Sequence, residues 1–369
     1  MQIIHLVLGK ANPERMNGIN KVAYQLATTQ TEMGHEVCLW GIANNLTQNY
    51  PSRNFKTKLF QQYKNKLKLD TKLEEAIQKL SSDSIVHIHG SFIPEFYQVS
   101  KLLNRKNIPY VYTPHGALTE GAMMKNTIAK KLYFQLFEST LIKKAKAMQL
   151  LGTQELKFTE QLIQTNNKHL IPNGQDLWSI PDFEKERGKN IVFGFCGRIA
   201  SFHKGLDLMI KAFHQFIKRR NKGTLELIGD GTDRPALEKL CRALEIDHLV
   251  TFHGAKFGTE KYKLIAGFDV FLHTSRMEGF PTAVLEAAAM KKVCITSEAT
   301  NINDYFRKHY SGLPIQNNTI VNIANMMENA DSLYQKDQLK DIGLRARRMV
   351  ESQFNWIKIS QQLISVYGQ

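Results

Sequence analysis

The sequence predicts an α/β protein made of two doubly wound domains. Short apolar runs alternate with longer amphipathic stretches, which is the pattern of parallel strands connected by helices. This series stops about halfway along the chain and then starts again. Residues 175–190, between the two series, contain Pro181, Gly188 and a run of mixed charge, as an exposed linker does.

The first domain is predicted at residues 1–180. Helical patterns occupy residues 21–33 and 127–144, and the C-terminal helix, at about residues 354–369, is expected to pack back on this domain. Apolar runs of this length, bounded by turn residues, are typical of buried strands. The predicted strands are residues 3–8, 37–40, 85–88, 110–113 and 147–150.

The second domain is predicted at residues 186–353, with the same alternation. Ligands of such sheets bind beyond the carboxyl ends of the strands, so a cleft between two facing sheets is the expected active site. The predicted strands are residues 191–196, 224–228, 250–253, 270–273 and 293–296. The predicted helices are residues 206–219, 234–244, 259–266 and 282–290.

The composition excludes several classes of protein. Of the 369 residues 43% are apolar and 22% charged, which is a globular composition and not a disordered one. No apolar run approaches the ~18 residues of a spanning helix, and the N-terminus lacks the features of a signal peptide. The four cysteines form no metal-binding or disulfide pattern, so buried free thiols are expected. We therefore expect a cytoplasmic protein.

The charge of the chain points to an anionic partner. Lys and Arg number 49 against 34 Asp and Glu, a formal net charge of +15. Two Lys-rich stretches, residues 53–68 and 125–146, stand out in the first domain, and apolar residues recur near helical spacing in the first of them. Basic amphipathic helices lie on anionic lipid, so peripheral attachment to the inner face of the plasma membrane is a further expectation.

The most informative segment follows the strand that is predicted to end near His273. A loop carries Glu278 and Gly279, and Pro281 stands where the next helix would begin. The free N–H groups of a helix N-terminus favour an anion, so this segment suits a diphosphate. Glu286, farther along the helix, offers a carboxylate that accepts hydrogen bonds from ribose hydroxyls.

Glu278 and Glu286, with seven residues between them, look like the EX7E signature of the retaining family-4 glycosyltransferases. Further segments resemble that family in the same order along nearly the whole chain. The resemblance implies the GT-B fold, with two Rossmann-like domains facing across a cleft. The matching segments are residues 17–23, 33–37, 113–116, 171–174, 197–205, 227–231, 252–254 and 266–272.

The resemblance also implies the roles of individual residues. Arg198 and Lys204 would stabilise the charge that develops on a departing diphosphate. His115 would act near the transferred sugar, and Glu278 would orient the sugar hydroxyls. With these four as the catalytic set, the expected donor-binding residues are Gly18, Gly197, Lys256, Gly279, Phe280, Pro281, Thr282 and Glu286.

The implied reaction moves a hexose from a nucleotide sugar to a hydroxyl group, with retention at the anomeric carbon and with no metal or other cofactor. A UDP-sugar is favoured over a GDP-sugar, with glucose or an N-acetylhexosamine as the sugar. The expected acceptor is a glycan or a lipid-linked saccharide, in the assembly of exopolysaccharide or envelope polysaccharide. In agreement with metal independence, no Asp-x-Asp motif follows an appropriate strand.

Two alternatives remain open at this stage. One is a GT-B-fold epimerase acting on a UDP-sugar, which does not by itself account for Arg198, Lys204 and the two glutamates together. The other is a nucleic-acid-binding protein, suggested by the charge alone; no recognition motif supports it, and no nucleic acid is expected as a partner. The chain also departs from the family pattern. It has one glycine, Gly18, where the family often has two, and residues 297–303 replace a glycine-rich turn.

Overall fold

The computed structural model describes every residue except 13–17, 125–126, 166, 178–179, 182, 184–185 and 221. The chain forms two compact units. The N-terminal unit comprises Met1–Gly174 and Trp356–Gln369, and the C-terminal unit comprises Gln175–Asn355. The sequence had placed the division at residues 180–186. Where the two segments of the N-terminal unit meet, Gly174 packs directly on the Trp356 ring: a Cβ atom at Gly174 would lie only 2.5 Å from it.

The N-terminal unit is built on a seven-stranded parallel sheet in the order β3-β2-β1-β4-β5-β6-β7. All five strands predicted here are present. The two additional ones, β3 and β7, form the two edges. The strands are β1 (Gln2–Leu8), β2 (Glu36–Ala43), β3 (Lys56–Gln61), β4 (Ser84–His89), β5 (Tyr110–Thr113), β6 (Ala147–Leu150) and β7 (Lys168–Leu170).

Helices cover both faces of this sheet. One face packs on α1 and the C-terminal helix (Trp356–Gly368), with Ile3, Val7 and Leu363 in its core. The other face, with Leu6 and Tyr112, packs on α2, α3 and α6. The helices are α1 (Gly18–Glu32), α2 (Thr71–Gln78), α3 (Pro94–Arg105), α4 (Glu120–Met124), α5 (Thr127–Tyr133), α6 (Ser139–Lys144) and α7 (Thr153–Leu162), with a π-helical turn at Phe134–Glu138 between α5 and α6.

The prediction of an amphipathic helix within residues 53–68 is wrong. Residues 56–61 form strand β3, which pairs in parallel with β2 at the edge of the sheet. Lys56, Lys58 and Phe60 lie on one face of this edge strand, where the two lysines are exposed and Phe60 is buried. Phe60 packs edge-on against Trp40 of β2, with the ring centroids 5.6 Å apart.

The C-terminal unit has a six-stranded parallel sheet in the order β10-β9-β8-β11-β12-β13. All five predicted strands are present, and β13 is an additional edge strand. The strands are β8 (Val192–Cys196), β9 (Thr224–Ile228), β10 (Val250–Gly254), β11 (Val270–His273), β12 (Val293–Ser297) and β13 (Leu313–Ile315). The helices are α8 (Ser201–Lys204), α9 (Leu206–Arg220), α10 (Arg234–Ala243), α11 (Gly258–Ala266), α12 (Thr282–Ala289), α13 (Asn303–His309), α14 (Ile320–Gln335) and α15 (Leu339–Gln353).

Two further expectations concern thiols and membrane spans. All four cysteines are buried free thiols, as predicted. Among the described residues, no helix combines the length and the apolar character that crossing a bilayer requires.

Candidate functional site

The Glu278 carboxylate is the centre of a polar cluster at the carboxyl end of β11. Its Oε2 atom accepts hydrogen bonds from His273 Nε2 at 3.1 Å and from Ser275 Oγ at 3.3 Å. The Lys204 ammonium donates to the same oxygen and forms an ion pair with it. Glu278 and Lys204 are therefore joined in one cluster, as members of one site should be.

Electrostatics keep this carboxylate ionised. Burial alone would raise the pKa of Glu278, but the hydrogen bond from His273 and the positive charge of Lys204 lower it to about 2. Burial lowers the pKa of His273, so this imidazole is neutral and its Nε2–H is the donor. The cluster is thus one cation, one anion and one neutral ring.

Gly205 explains why Lys204 reaches Glu278. It has a φ of +63°, and a Cβ atom at this position would lie 2.0 Å from the carbonyl oxygen of Thr274. Only glycine allows both the left-handed turn after α8 and this close approach to the end of β11. The Thr274 hydroxyl donates to the Gly205 carbonyl at 3.1 Å, which joins the two segments.

Side-chain amides hold the loop that carries Glu278. The Asn301 amide donates to the Gly279 carbonyl at 2.7 Å, and the Asn318 amide donates to the Thr274 carbonyl at 2.8 Å. The Ser297 hydroxyl donates to the Ser275 carbonyl at 2.6 Å. Ser297 and Asn301 lie in the segment that departs from the family pattern. The structure shows that this segment braces the Glu278 loop.

Glu286 lies on the inner side of α12, where its exposed fraction is 4%. Its Oε2 accepts a hydrogen bond from Lys261 Nζ of α11 at 2.8 Å. Although burial disfavours the ammonium form of Lys261, the neighbouring Glu286 carboxylate raises the pKa of that lysine overall. Sequence reasoning missed Lys261, because it is one of several lysines in its region and nothing in its spacing singles it out.

Arg198 and Gly197 follow β8 directly. Arg198 is exposed, and its guanidinium has no hydrogen bond or ion pair within the described part of the chain. A Cβ atom at Gly229 would lie 1.8 Å from the Gly197 carbonyl oxygen, so the loop after β9 packs directly on the Gly197 backbone. Arg198 therefore lies just beyond the carboxyl end of β8.

The remaining donor-side residues surround α12 or follow β10. Pro281 is the residue before α12, and Thr282 is the first helical residue. The proline was expected at the first helical position, so it lies one position before that place. Phe280 is buried against Phe354, with ring centroids 5.5 Å apart. Lys256, after β10, is held by Glu260 at 2.6 Å.

His115 and Gly18 belong to the N-terminal unit. His115 follows β5, is half-buried and has a φ of +55°. Its Nε2 lies 3.1 Å from Nδ1 of His89. The next residue is anchored, because the Gly116 N–H donates to the buried Glu155 carboxylate at 2.6 Å. Gly18 is the first residue of α1, and the preceding residue of its motif, Asn17, lies outside the described residues.

A group of buried histidines lies beside His115; from the sequence, only His89 of this group is a candidate, a weak one for the acceptor side and outside the catalytic set. His5, His87 and His89 have nitrogen atoms within 4.8 Å of one another, a spacing that a metal ion requires. All six nitrogens, however, take part in hydrogen bonds, so no lone pair is left for a metal. The alternation of His87 and His89 along β4 is the sequence signal that could have revealed this group.

A pocket lies at the carboxyl ends of β1 and β2. Polar amide side chains contribute much of its lining, which suits a ligand rich in hydroxyl groups. The amide residues that line it are Asn12, Asn20, Asn44, Asn45, Asn49 and Gln62.

Two protein families match the chain. The model of "Glycosyltransferase Family 4" matches residues 16–178, and that of "Glycosyl transferases group 1" matches residues 177–349. Together these matches span residues 16–349, from just before α1 into α15.

Individual proteins are also similar. The N-acetyl-alpha-D-glucosaminyl L-malate synthase of Bacillus anthracis is 24% identical over 95% of this chain and 94% of its own length. The poly(ribitol-phosphate) alpha-N-acetylglucosaminyltransferase of Staphylococcus aureus is 23% identical over 96% of this chain and 69% of its own. The structure of Anabaena HepE in complex with UDP and glucose matches with a TM-score of 0.76 and 16% identity, over 100% of this chain and 99% of that one. This likeness confirms the expected fold class, GT-B.

Proposed function

Since the chain belongs to the family-4, group 1 glycosyltransferases, it catalyses glycosyl transfer, and we propose that it moves a hexose from a UDP-sugar to a hydroxyl group with retention at the anomeric carbon. The observation that carries this proposal is the ionised Glu278 carboxylate, paired with Lys204 at the carboxyl edge of β11. A carboxylate at this position accepts hydrogen bonds from sugar hydroxyls. The lysine beside it stabilises the charge of a departing diphosphate.

Two cations are proposed to stabilise the negative charge of the leaving diphosphate. Lys204 is held in place by its ion pair, whereas Arg198 is exposed and has no partner among the described residues. Arg198 binds phosphate oxygens in bidentate fashion, and Lys204 acts as a compact charge. We assign to them the role that a metal ion has in other transferases. The reaction is therefore proposed to need no metal, with the leaving phosphate accepting the proton of the acceptor hydroxyl.

The donor is proposed to be UDP-N-acetylglucosamine or UDP-glucose. The names of two relatives specify transfer of an alpha-N-acetylglucosaminyl group, and the HepE complex holds UDP and glucose. On this chain, Glu286 is the proposed partner of the ribose hydroxyls, with Lys261 holding its carboxylate in position. The backbone of residues 279–282 and the Lys256 region complete the proposed donor site.

The acceptor is proposed to be a hydroxyl of a glycan or of a lipid-linked saccharide, for the assembly of exopolysaccharide or envelope polysaccharide. The amide-lined pocket at the ends of β1 and β2 supports a hydroxyl-rich acceptor, because amides both donate and accept hydrogen bonds. His115 is proposed to hold a hydroxyl of the sugar substrate.

Peripheral docking on an anionic membrane is part of the proposal, and a different surface now supports it. Four large apolar side chains spaced four residues apart in the sequence lie on α4, α5 and the π-helical turn, with exposed fractions between 54% and 85%. Lysines lie among and after them, although Lys125 is outside the described residues. Exposed apolar groups beside lysines suit an anionic lipid surface. The four are Met124, Ile128, Leu132 and Leu136.

The decisive experiment is an assay of UDP release from UDP-N-acetylglucosamine, UDP-glucose and GDP-mannose, with EDTA present. We expect turnover of a UDP-sugar that EDTA leaves unchanged and that Glu278→Gln abolishes. Conversion of the UDP-sugar to its epimer, without release of UDP, would establish the epimerase alternative. Salt-sensitive DNA binding by a chain that turns over none of the three donors would establish the nucleic-acid alternative.

A further inference from the structure

His115 stands in a turn whose two central residues both have left-handed backbone. The φ of His115 is +55° and that of Gly116 is +82°, and the Ala117 N–H donates to the Pro114 carbonyl at 3.3 Å. Positive φ at both central residues is the pattern of a type I′ turn. For a residue with a Cβ atom this conformation is unfavourable, because the Cβ atom crowds the backbone. The turn therefore needs contacts from elsewhere in the fold to keep His115 in it.

The backbone of Gly116 is held on both sides. Its N–H donates to Oε1 of Glu155 at 2.6 Å, and its carbonyl accepts the Thr119 hydroxyl proton at 3.1 Å. The Gly116 N–H belongs to the peptide group that follows His115, so the bond to Glu155 fixes the plane of this peptide. Types I′ and II′ differ in the orientation of that plane. Glu155 thus selects the turn that His115 occupies.

Glu155 does more than cap its own helix. It is the third residue of α7, with an exposed fraction of 0%, and its Oε2 accepts from the Leu151 N–H at 3.1 Å. That contact is local, and an acidic side chain in the first turn of a helix is stabilising in any case. The Oε1 contact is different, because it reaches back 39 positions to the loop after β5.

The imidazole of His115 depends on this turn for its direction. Its Nε2 lies 3.1 Å from Nδ1 of the buried His89, and its own Nδ1 has no hydrogen-bond partner among the described residues. One ring nitrogen is therefore used within the protein, and the other is available to a substrate. A negative φ at His115 would redirect its Cα–Cβ bond and move the ring away from His89.

We propose that Glu155 is a positioning residue for glycosyl transfer: by binding the Gly116 N–H, it holds His115 in the left-handed turn from which the imidazole meets the sugar substrate. This inference rests on the proposed role of His115 at a sugar hydroxyl. A displacement of about 1 Å in a group that orients a substrate lowers turnover by as much as about 10²-fold. Glu155 therefore matters to the reaction although it does not touch the substrate.

Glu155→Asp tests the contact with Gly116. The aspartate keeps a negative charge in the first turn of α7, which favours folding, but it is one methylene too short to reach the Gly116 N–H. The matched control is Glu160→Asp, which makes the same change at an exposed position of the same helix. All measurements are made at pH 8. Burial raises the pKa of Glu155 to about 7, so its carboxylate is ionised at that pH.

Hydrogen exchange of the Gly116 amide, followed in ¹H–¹⁵N spectra of the full-length chain, measures the contact itself. In the wild-type protein this amide should exchange slowly, and fast exchange there, a result that needs no variant, would overturn the proposal. Exchange should be faster in Glu155→Asp and unchanged in Glu160→Asp. Equal protection of Gly116 in Glu155→Asp and the wild type would also overturn it, whether or not the chain is active.

Turnover of the UDP-sugar is the second measurement. Glu155→Asp should lower kcat by about 10²-fold. Calorimetry should show unchanged UDP affinity, because the side chains proposed to bind UDP belong to the C-terminal unit. Glu160→Asp should keep the wild-type kcat. Loss of a helix cap alone lowers stability and leaves the turnover of the folded enzyme as it is, so a wild-type kcat in folded Glu155→Asp would overturn the proposal.

A double-mutant cycle shows whether Glu155 acts through His115. His115→Ala should lower turnover as well, and Glu155→Asp should then have no further effect in that background. Equal losses in the two backgrounds would mean that Glu155 acts independently of His115, which would overturn the proposal. Wild-type turnover in His115→Ala, or a wild-type chain without transferase activity, would instead refute the proposed function, because Gly116 exchange still reports the contact in either case.

Discussion

The ammonium of Lys261 donates to the Glu286 carboxylate across 2.8 Å, and the two side chains are only 16% and 5% exposed. One of these residues belongs to the sequence signature, and the other comes from a different helix, α11. The pair is thus both a structural contact and, by our proposal, the support of the ribose-binding carboxylate.

We predict that Glu286→Ala weakens UDP binding and also destabilises the fold. Removing one partner of a buried ion pair leaves an uncompensated charge, which typically costs about 3–5 kcal/mol. The double variant Glu286→Gln with Lys261→Met separates the two effects, since it removes both charges. It should recover stability in urea unfolding but not UDP affinity in calorimetry. Wild-type UDP affinity in the folded double variant would rule out the ribose role.

Arg198→Ala and Lys204→Ala should both lower turnover, by about 10²–10³, because each removes a cation from the developing charge of the diphosphate. Their effects on stability should differ. Arg198 is exposed and has no partner among the described residues, whereas Lys204 is paired with Glu278, whose side chain is 15% exposed. Only Lys204→Ala should therefore lower the free energy of unfolding. The control is Arg219→Ala, which removes a surface cation paired with Glu328. Wild-type turnover in either site variant would remove that residue from the mechanism.

The buried Glu138 should make the N-terminal unit less stable at alkaline pH. Burial raises the pKa of Glu138 to about 7, and that of the buried Glu155 likewise. A carboxyl with a higher pKa in the folded state takes up a proton on folding. Its contribution to stability is fully present below the unfolded pKa and is lost as the pH rises through about 7.

Glu138→Gln tests this effect, because the amide oxygen can still accept from Tyr112 and from the Phe92 N–H. Between about pH 6.5 and 8.5, wild type should lose about 1 kcal/mol more of its free energy of unfolding than the variant. This window avoids the buried histidines, whose lowered pKa values affect stability below about pH 6.5. Equal losses in urea titrations at the two pH values would contradict the assignment.

Wild-type protein should sediment with anionic liposomes at low salt and not with neutral ones. Each basic residue near an anionic surface contributes about 1 kcal/mol, and salt screens it. Reversal of Lys131, Lys143 and Lys144, which are exposed in the second Lys-rich stretch, to Glu should abolish sedimentation and leave donor hydrolysis intact. So should Ile128→Gln with Leu132→Gln, which removes exposed apolar surface.

A charge-matched control for the lysine variant lies in the C-terminal unit, where reversal of three exposed lysines should leave sedimentation intact. A wild-type chain that ignores anionic liposomes at low salt would refute docking, and a dissolved acceptor would then replace the lipid-linked one in the proposal. The control lysines are Lys211, Lys218 and Lys239.

Apart from β10, which is an edge strand, the strands that the sequence reveals are the central ones. β1, β4 and β11 are buried on both faces, so their apolar runs are continuous and easily recognised. β3, β7 and β13 lie at sheet edges. An edge strand has a partner on one side only and tolerates polar residues, so Lys56–Gln61 was mistaken for part of a basic helix.

The functional site shows a similar contrast: some of its residues can be recognised from the sequence and others cannot. Glu278, Glu286, Arg198 and Lys204 stand in short motifs whose spacing is visible in one dimension. The residues that support them can be identified only from the three-dimensional structure. Asn301 reaches Gly279 across 22 positions, and nothing in its immediate sequence indicates that contact.

The sequence by itself determined the two-domain α/β architecture, the motif residues and the excess of positive charge, because each of these is written in local periodicity, spacing or composition. Only the tertiary structure decided which groups pair. It placed Lys261 on Glu286, His273 on Glu278, and Gln30 on His5. Hydrogen bonds and ion pairs act over about 3 Å in space, and distances along the chain do not determine them.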